Sequence, residues 1–172
     1  VVFVILKTSL HKILEKHEIL ALLIASICHD AGHDDYEKLN SGNNRSKTAY
    51  ELLYRSQSVE EMKNVEFAIR TISKDECNLL SLFDYNKQKQ IWRLIINLVL
   101  GTSIRTHFKF MKTFDELKNT EFDLKNKKNR HFLMILLMKV AVFSSLARDF
   151  KIAQMAVDQI VKEFWMLGKP EK

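Results

Sequence analysis

His29, Asp30 and His33 stand together at the end of an apolar stretch, EILALLIASICHDAGH, residues 18–33. Two imidazoles and a carboxylate at the end of a core helix can hold a divalent cation. They can equally form a hydrogen-bonded pair that closes a helix bundle. Burying such groups is costly unless they are paired or coordinate an ion, so the sequence demands one of the two. The apolar part, Ile19 to Cys28, is too short to cross a bilayer, which takes about 20 residues. It is therefore expected to be a helix inside a protein core.

The elements that must position these groups follow from composition and periodicity. The chain has 172 residues, enough for one domain with one sizeable core. Four Gly and one Pro leave too few turns for a sandwich or barrel, and long aliphatic runs favour helices. Apolar positions Val1, Val4, Ile5, Leu10, Ile13 and Leu14 predict a helix over 1–16. The core helix is expected over 18–30, a polar loop over 34–46 and a short helix over 47–55. Ser58 with Glu61 three residues on reads as a capping box opening a helix to Ile72. A long helix is expected over 86–111, with Ile91, Leu94, Ile95, Leu98 and Val99 as its buried stripe. After a polar loop, 113–129, the run HFLMILLMKVAVFSSLA forms another helix. The last helix, 150–167, stops at Gly168 and Pro170. The runs 19–28 and 132–143 are apolar enough to be buried all round.

Lys and Arg outnumber Asp and Glu by 27 to 21, a net charge of +6. Part of the excess is the run Lys125 to Arg130, which reads as a solvated loop. No aromatic residues interleave it, which argues against a nucleic-acid platform. Cys28 and Cys77 form no CxxC, as expected of a reduced, intracellular, cytoplasmic protein; nothing in the residues bears on cytoskeletal association. The start VVFVILKTSLHKI has neither a signal-peptide n-region nor a cleavage site, and reads as a helix in progress inside a larger protein. No membrane span is expected.

The order of motifs resembles the catalytic domain of class I cyclic-nucleotide phosphodiesterases. EILALLIASICHDAGH is similar to that family's run ending in His-Asp-x-x-His. SKTAYELLYRSQSVEE resembles its Leu-Ala, Tyr-Asn-Asp and Ser-Val-Leu-Glu-Asn-His-His stretch. IWRLIINLVLGTSIRTHF is similar to its Ala-Thr-Asp helix, MKVAVFSSL sits at His-x-x-Asp-x-Ser-Asn, and AVDQIVKEFWMLG resembles the helix ending in Glu-Glu-Phe-Phe. The fold class this implies is all-α, a compact multi-helix bundle of the HD-domain/phosphodiesterase type, with residues 1–172 as part of one such domain.

The resemblance also implies a chemistry: two divalent cations, zinc with magnesium or manganese, polarise a cyclic phosphodiester and supply a hydroxide nucleophile. His29 and Asp30 would be two of the four zinc ligands, and His33 a supporting histidine of the water network. The departures are numerous. The next zinc aspartate falls on Val142, with the His and Asn of that motif on Lys139 and Ser145. Family Gly and Asn-Asn positions fall on Asp35, Glu37 and Lys38, the paired histidines on Lys63 and Asn64, and the Asp of Ala-Thr-Asp on Ser103. The remaining zinc histidine, the acid histidine and the purine clamp would lie outside the chain. Valine cannot ligate a metal, a lysine ammonium beside the site would repel one, and tight zinc sites need three or four protein ligands.

The expectation is therefore a catalytically impaired phosphodiesterase-like domain with no intact catalytic residue. It would serve as a structural or interaction module, with protein partners or the rest of the same chain covering its open faces. The expectation near His29, Asp30, Val142 and Ser103 is a weakly held zinc or magnesium, or none. The alternative is an active metal-dependent phosphodiesterase acting on cyclic AMP or cyclic GMP. A zincin reading of His29 and His33 at i, i+4 is weaker, because Asp30 is one methylene shorter than the Glu base and Gly32 interrupts the helix. His11, His17, His107 and His131 read as ordinary structural histidines, and Trp92, Trp165 and the Met and Phe residues as packing. Val1, Val4, Ile5, Phe164 and Trp165 are expected to form open apolar stripes.

Overall fold

The computed structural model describes residues 1–31, 50, 52–55, 58–118, 120 and 122–167, with side chains 163, 164, 166 and 167 left out. Among the described residues there are seven α-helices and no strand, so the chain is all-α. They are α1 (Val2–Lys7), α2 (Lys16–Cys28), α3 (Val59–Ile72), α4 (Tyr85–Thr102), α5 (His107–Lys118), α6 (Lys127–Val142) and α7 (Phe150–Leu167). Of the short helix expected over 47–55, residues 47–49 and 51 lie outside the described residues, while 50, 52 and 53 are helical and 54 and 55 form a turn.

The core forms where α2, α4 and α6 meet, with α3 packed on α2 and α4. Ile91, Ile95, Leu98 and Val99 of α4 are all fully enclosed, as their helical spacing requires. Leu22, Ala21 and Ala25 of α2 face them, with Met134 and Met138 of α6. Gly101 lets α4 and α6 approach closely: a Cβ there would lie 3.0 Å from Cγ2 of Ile135. The runs 19–28 and 132–143 are central helices, but they are not buried all round. Ile27 is 78% exposed, and Val140 is exposed on α6.

Lys127–Ala147 is long and apolar enough to cross a membrane by length and composition. In this fold, α6 within it packs on α2 and α4 and buries Met134, Leu137 and Met138, as a core helix does.

Local chemistry moved several boundaries. The helix expected over 1–16 breaks after Lys7, and residues 10–12 continue as a 3-10 turn. Thr8 turns its hydroxyl back to the Val4 carbonyl at 2.6 Å, and Ser9 takes a left-handed conformation at φ 57°. Ser9 donates no side-chain cap in return, so Ser9→Gly should raise stability by about 0.5–1 kcal/mol by relieving that conformation. Chemical denaturation checks this; an unchanged or lower midpoint would show that the αL strain is offset elsewhere. The long helix expected over 86–111 divides at Ser103, which is extended at ψ 136°. The chain then re-enters as a 3-10 turn and α5, which runs to Lys118, into the expected loop.

Two expectations about polar residues need correction. Ser58 does sit at the N-cap of α3, but it is left-handed and makes no side-chain cap. Its hydroxyl instead donates to Oγ of Ser103, 3.2 Å away. The capping box that does form is Glu15 with Glu18, at the start of α2. Arg130 is not in a solvated loop. It lies in the first turn of α6 and is 6% exposed.

The open stripes also differ from expectation. Ile5 is buried and Val1 and Val4 pack partly against the core, while Val2, Phe3 and Leu6 are exposed. Trp165 of α7 is 73% exposed, and Phe150, Met155 and Val161 of the same helix are exposed too. Phe164 is outside the described side chains.

Candidate functional site

α2 ends at Cys28, so His29 is its C-cap and Asp30 lies in the following turn. The ring of His29 is held at both nitrogens. Nε2 is 3.1 Å from Oδ2 of Asp30, and Nδ1 is 3.0 Å from the carbonyl of Ser26. With an acceptor at each nitrogen, the imidazolium is the form that satisfies both contacts. The Asp30 hydrogen bond holds the His29 pKa above its ordinary value against partial burial, with help from the Asp30 charge and the Ser26 carbonyl. Asp30 itself is 68% exposed at its side chain. His33 lies outside the described residues, as do Asp35, Glu37 and Lys38.

His29 opens on a cavity of about 390 Å³ lined by Val1, Val2, Phe3, Ser26, Met138, Ala141 and Val142. The fold thus brings His29 and Val142 to one space. Asp30 and Ser103 are not on its wall among the described residues. Lys139 is not on it either, so no ammonium sits in this cavity among those residues. Its side chain is 6% exposed, with Nζ 5.4 Å from the centre of the Phe110 ring of α5. Burial lowers its pKa, and Glu61 pulls the other way.

The other departures have structural occupations. Asn64 is buried and donates from Nδ2 to the backbone carbonyl of His29, so α3 fastens the end of α2. Lys63 pairs with Glu60 at 3.3 Å and lies over the Tyr50 ring. Ser103 accepts from Ser58, as above.

A resident metal is implied by the resemblance, and the residues present do not fit one. Zinc takes N, S or O donors, three or four from the protein when binding is tight. Here none of the side chains that line the cavity with His29 is a carboxylate, an imidazole or a thiolate, and both ring nitrogens of His29 already have partners. Among the described residues no three His, Cys, Asp or Glu side chains converge on one point. The two thiols add nothing: Cys28 and Cys77 are both free, and burial pushes Cys28 up, towards the inert neutral form.

A second, polar cleft lies at the opposite end of α2. Glu15, His17 and Glu18 of that end, Lys87, Gln90, Arg93, Leu94 and Asn97 of α4, and Lys127, His131 and Met134 of α6 line about 380 Å³. Sequence reading treated His17 and His131 as structural and missed the cleft. The available signal was polar residues at 87, 90 and 97, recurring at helical spacing through the apolar stripe of α4. Burial lowers the pKa of both histidines; Lys87 and Lys127 add to this at His17, while Glu15 and Glu18 oppose it there and Glu18 opposes it at His131.

A histidine held neutral has a linked effect on stability. The unfolded chain binds its proton near the ordinary value of 6.5, and the folded chain only at lower pH. Between those two points the unfolded state binds more protons, so stability falls as pH drops below 6.5. In urea titrations from pH 7.5 to 5.5 that loss should be smaller in His131→Gln; an identical slope would mean that His131 is not held neutral.

The family model described as 3'5'-cyclic nucleotide phosphodiesterase matches residues 1–172. The chain is 33% identical over 170 residues to the cGMP-specific 3',5'-cGMP phosphodiesterase 3 of Dictyostelium discoideum, covering 98% of this chain and 36% of that protein. It is 30% identical over 164 residues to the human high affinity cGMP-specific 3',5'-cyclic phosphodiesterase 9A, covering 95% of this chain and 27% of that protein. The phosphodiesterase domain of the RhoPDE fusion protein from the choanoflagellate Salpingoeca rosetta superposes with a TM-score of 0.76 at 25% identity, over 88% of this chain and 48% of that one. The chain thus spans about a third of those curated relatives and about half of the solved domain. With the whole chain matched and the all-α architecture shared, this chain belongs to the 3'5'-cyclic nucleotide phosphodiesterase family.

Proposed function

We propose that the chain is part of a phosphodiesterase-fold domain whose pocket does not hydrolyse cyclic nucleotides, and that the domain serves as an interaction module in a larger assembly. The observation that carries this reading is the wall opposite His29, where Val142, Ala141 and Met138 offer no carboxylate, imidazole or thiolate to a cation. With His29 engaged by Asp30 and Ser26, the remaining site would hold a divalent ion weakly, mostly through water, or not at all. A phosphodiester has no need of an apolar wall, but a folded domain kept for its surface tolerates one. The exposed face of α7 supplies such a surface: contiguous exposed apolar residues mark contact sites. Either a protein partner or the remainder of the same chain covers it, and the net charge of +6 favours an acidic partner by steering. An intracellular, cytoplasmic setting goes with this reading.

One observation favours an active enzyme instead, which is the 33% identity to a relative whose name states cGMP hydrolysis. A single experiment separates the two. The full-length protein that contains this chain is assayed with cyclic GMP and cyclic AMP in the presence of zinc and magnesium. No turnover above the protein-free control is expected. Turnover at ordinary enzyme rates, roughly 1 s⁻¹ or more, abolished by Asp30→Ala, would establish the enzyme and defeat the module.

A further inference from the structure

We propose that the polar cleft between α4 and α6, at the N-terminal end of α2, binds a small organic phosphate. This site is separate from the His29 cavity: the two share no lining residue among those described, and they lie at opposite ends of α2. Its charge is the first reason. Lys87, Arg93 and Lys127 line it, and none of the three side chains has a carboxylate partner among the described residues; the Lys87 ammonium donates to Gln90 at 3.3 Å, while its backbone N–H donates to Asp84.

The two carboxylates at the cleft are held by Arg130, whose single charge offsets one of them, so the three lining cations keep a net positive excess. Glu18 accepts from Arg130 Nε at 3.0 and 3.1 Å and from the Glu15 backbone at 2.9 Å. Glu15 accepts from Arg130 Nη2 at 3.0 Å. His17, whose Nδ1 lies 3.4 Å from Glu15 Oε2 and whose Nε2 is left for a ligand, and His131 add ring nitrogens that serve a phosphate oxygen without requiring a second charge. Converging ammonium, guanidinium and imidazole donors are the groups that recognise a phosphate.

The floor gives the second half of the ligand. Met134 is fully enclosed and Leu94 partly so, while the amides of Gln90 and Asn97 flank them on α4. An apolar base with a few placed polar groups, in about 380 Å³, suits a small molecule with an apolar body and not a bare ion.

The test is isothermal titration of the full-length protein with two probes, phenyl phosphate and inorganic phosphate. Saturable binding of phenyl phosphate is expected, with inorganic phosphate weaker. The Lys87→Gln/Lys127→Gln double variant should weaken phenyl phosphate at least about tenfold, the loss of roughly 1.4 kcal/mol. Lys127 is exposed and Lys87 half-buried, neither is in the core, and an unchanged thermal midpoint confirms an intact fold. No saturable binding of phenyl phosphate, or binding undiminished in the double variant, overturns the site. Inorganic phosphate binding as tightly as phenyl phosphate overturns the organic ligand in favour of free phosphate. None of these outcomes depends on whether the His29 pocket turns over cyclic nucleotides.

Discussion

Arg130→Met is expected to lower the unfolding free energy by about 3–5 kcal/mol, measured by urea denaturation at neutral pH. The guanidinium ties the start of α6 to the start of α2. Its Nε meets both oxygens of Glu18, Nη2 meets Glu15, and Nη1 donates to the carbonyls of Leu124 and Lys125 at 3.3 and 3.0 Å. Glu18 is 5% exposed, so removing its partner leaves a carboxylate enclosed without a countercharge. That residual charge, more than the lost attraction, sets the size of the effect. Pairing Arg130→Met with Glu18→Leu should therefore recover most of the loss. If the double variant is no more stable than the single one, the cost lies in packing or in the loop carbonyls, and the ion pair is not its source.

Leu98→Ala should cost about 3–4 kcal/mol, the upper part of the range for a fully enclosed leucine. Leu98 is inaccessible, and its neighbours Ile91, Ile95 and Val99 belong to the same core cluster as residues of α2 and α6. A cavity there cannot collapse without moving three helices. Leu82→Ala is the control: at 92% exposure it should change stability by less than about 0.5 kcal/mol. Equal effects at both positions in denaturant melts would mean that α4 is not the centre of the fold.

The contrast between these two residues shows what was legible in the sequence. Leu98 could be placed from spacing alone, because a helix stripe is a local pattern. The all-α class, the core role of α2 and α6, and the range of α7 were legible for the same reason. Arg130 was not. Its partner Glu18 is 112 residues away, and inside a basic run it looked like one more solvated charge. Ser58 misled in a similar way: the capping-box spelling was present, but a hydroxyl on another segment, Ser103, took its hydrogen bond. Ser103 also divides a helix that the apolar pattern carried straight through, since periodicity does not register a single extended residue.

At the candidate site, the sequence placed His29 and Asp30 together at the end of a core helix, and they are in contact. It could not show that Ser26 occupies the other ring nitrogen, nor that Asn64 fastens the His29 carbonyl. Val142 lines the His29 cavity, whereas Ser103 is hydrogen-bonded to Ser58 and Lys139 lies over Phe110. Side-chain direction decided each case, and sequence spacing carries little of it for residues at helix ends.

The most direct measurement is the metal content of the full-length protein, purified without chelator and dialysed against metal-free buffer. An apolar wall and an engaged imidazole predict well under one equivalent of zinc per chain, unchanged by Asp30→Ala. Retention of about one equivalent, the stoichiometry of a tight three- or four-ligand site, with its loss in Asp30→Ala, would contradict the account.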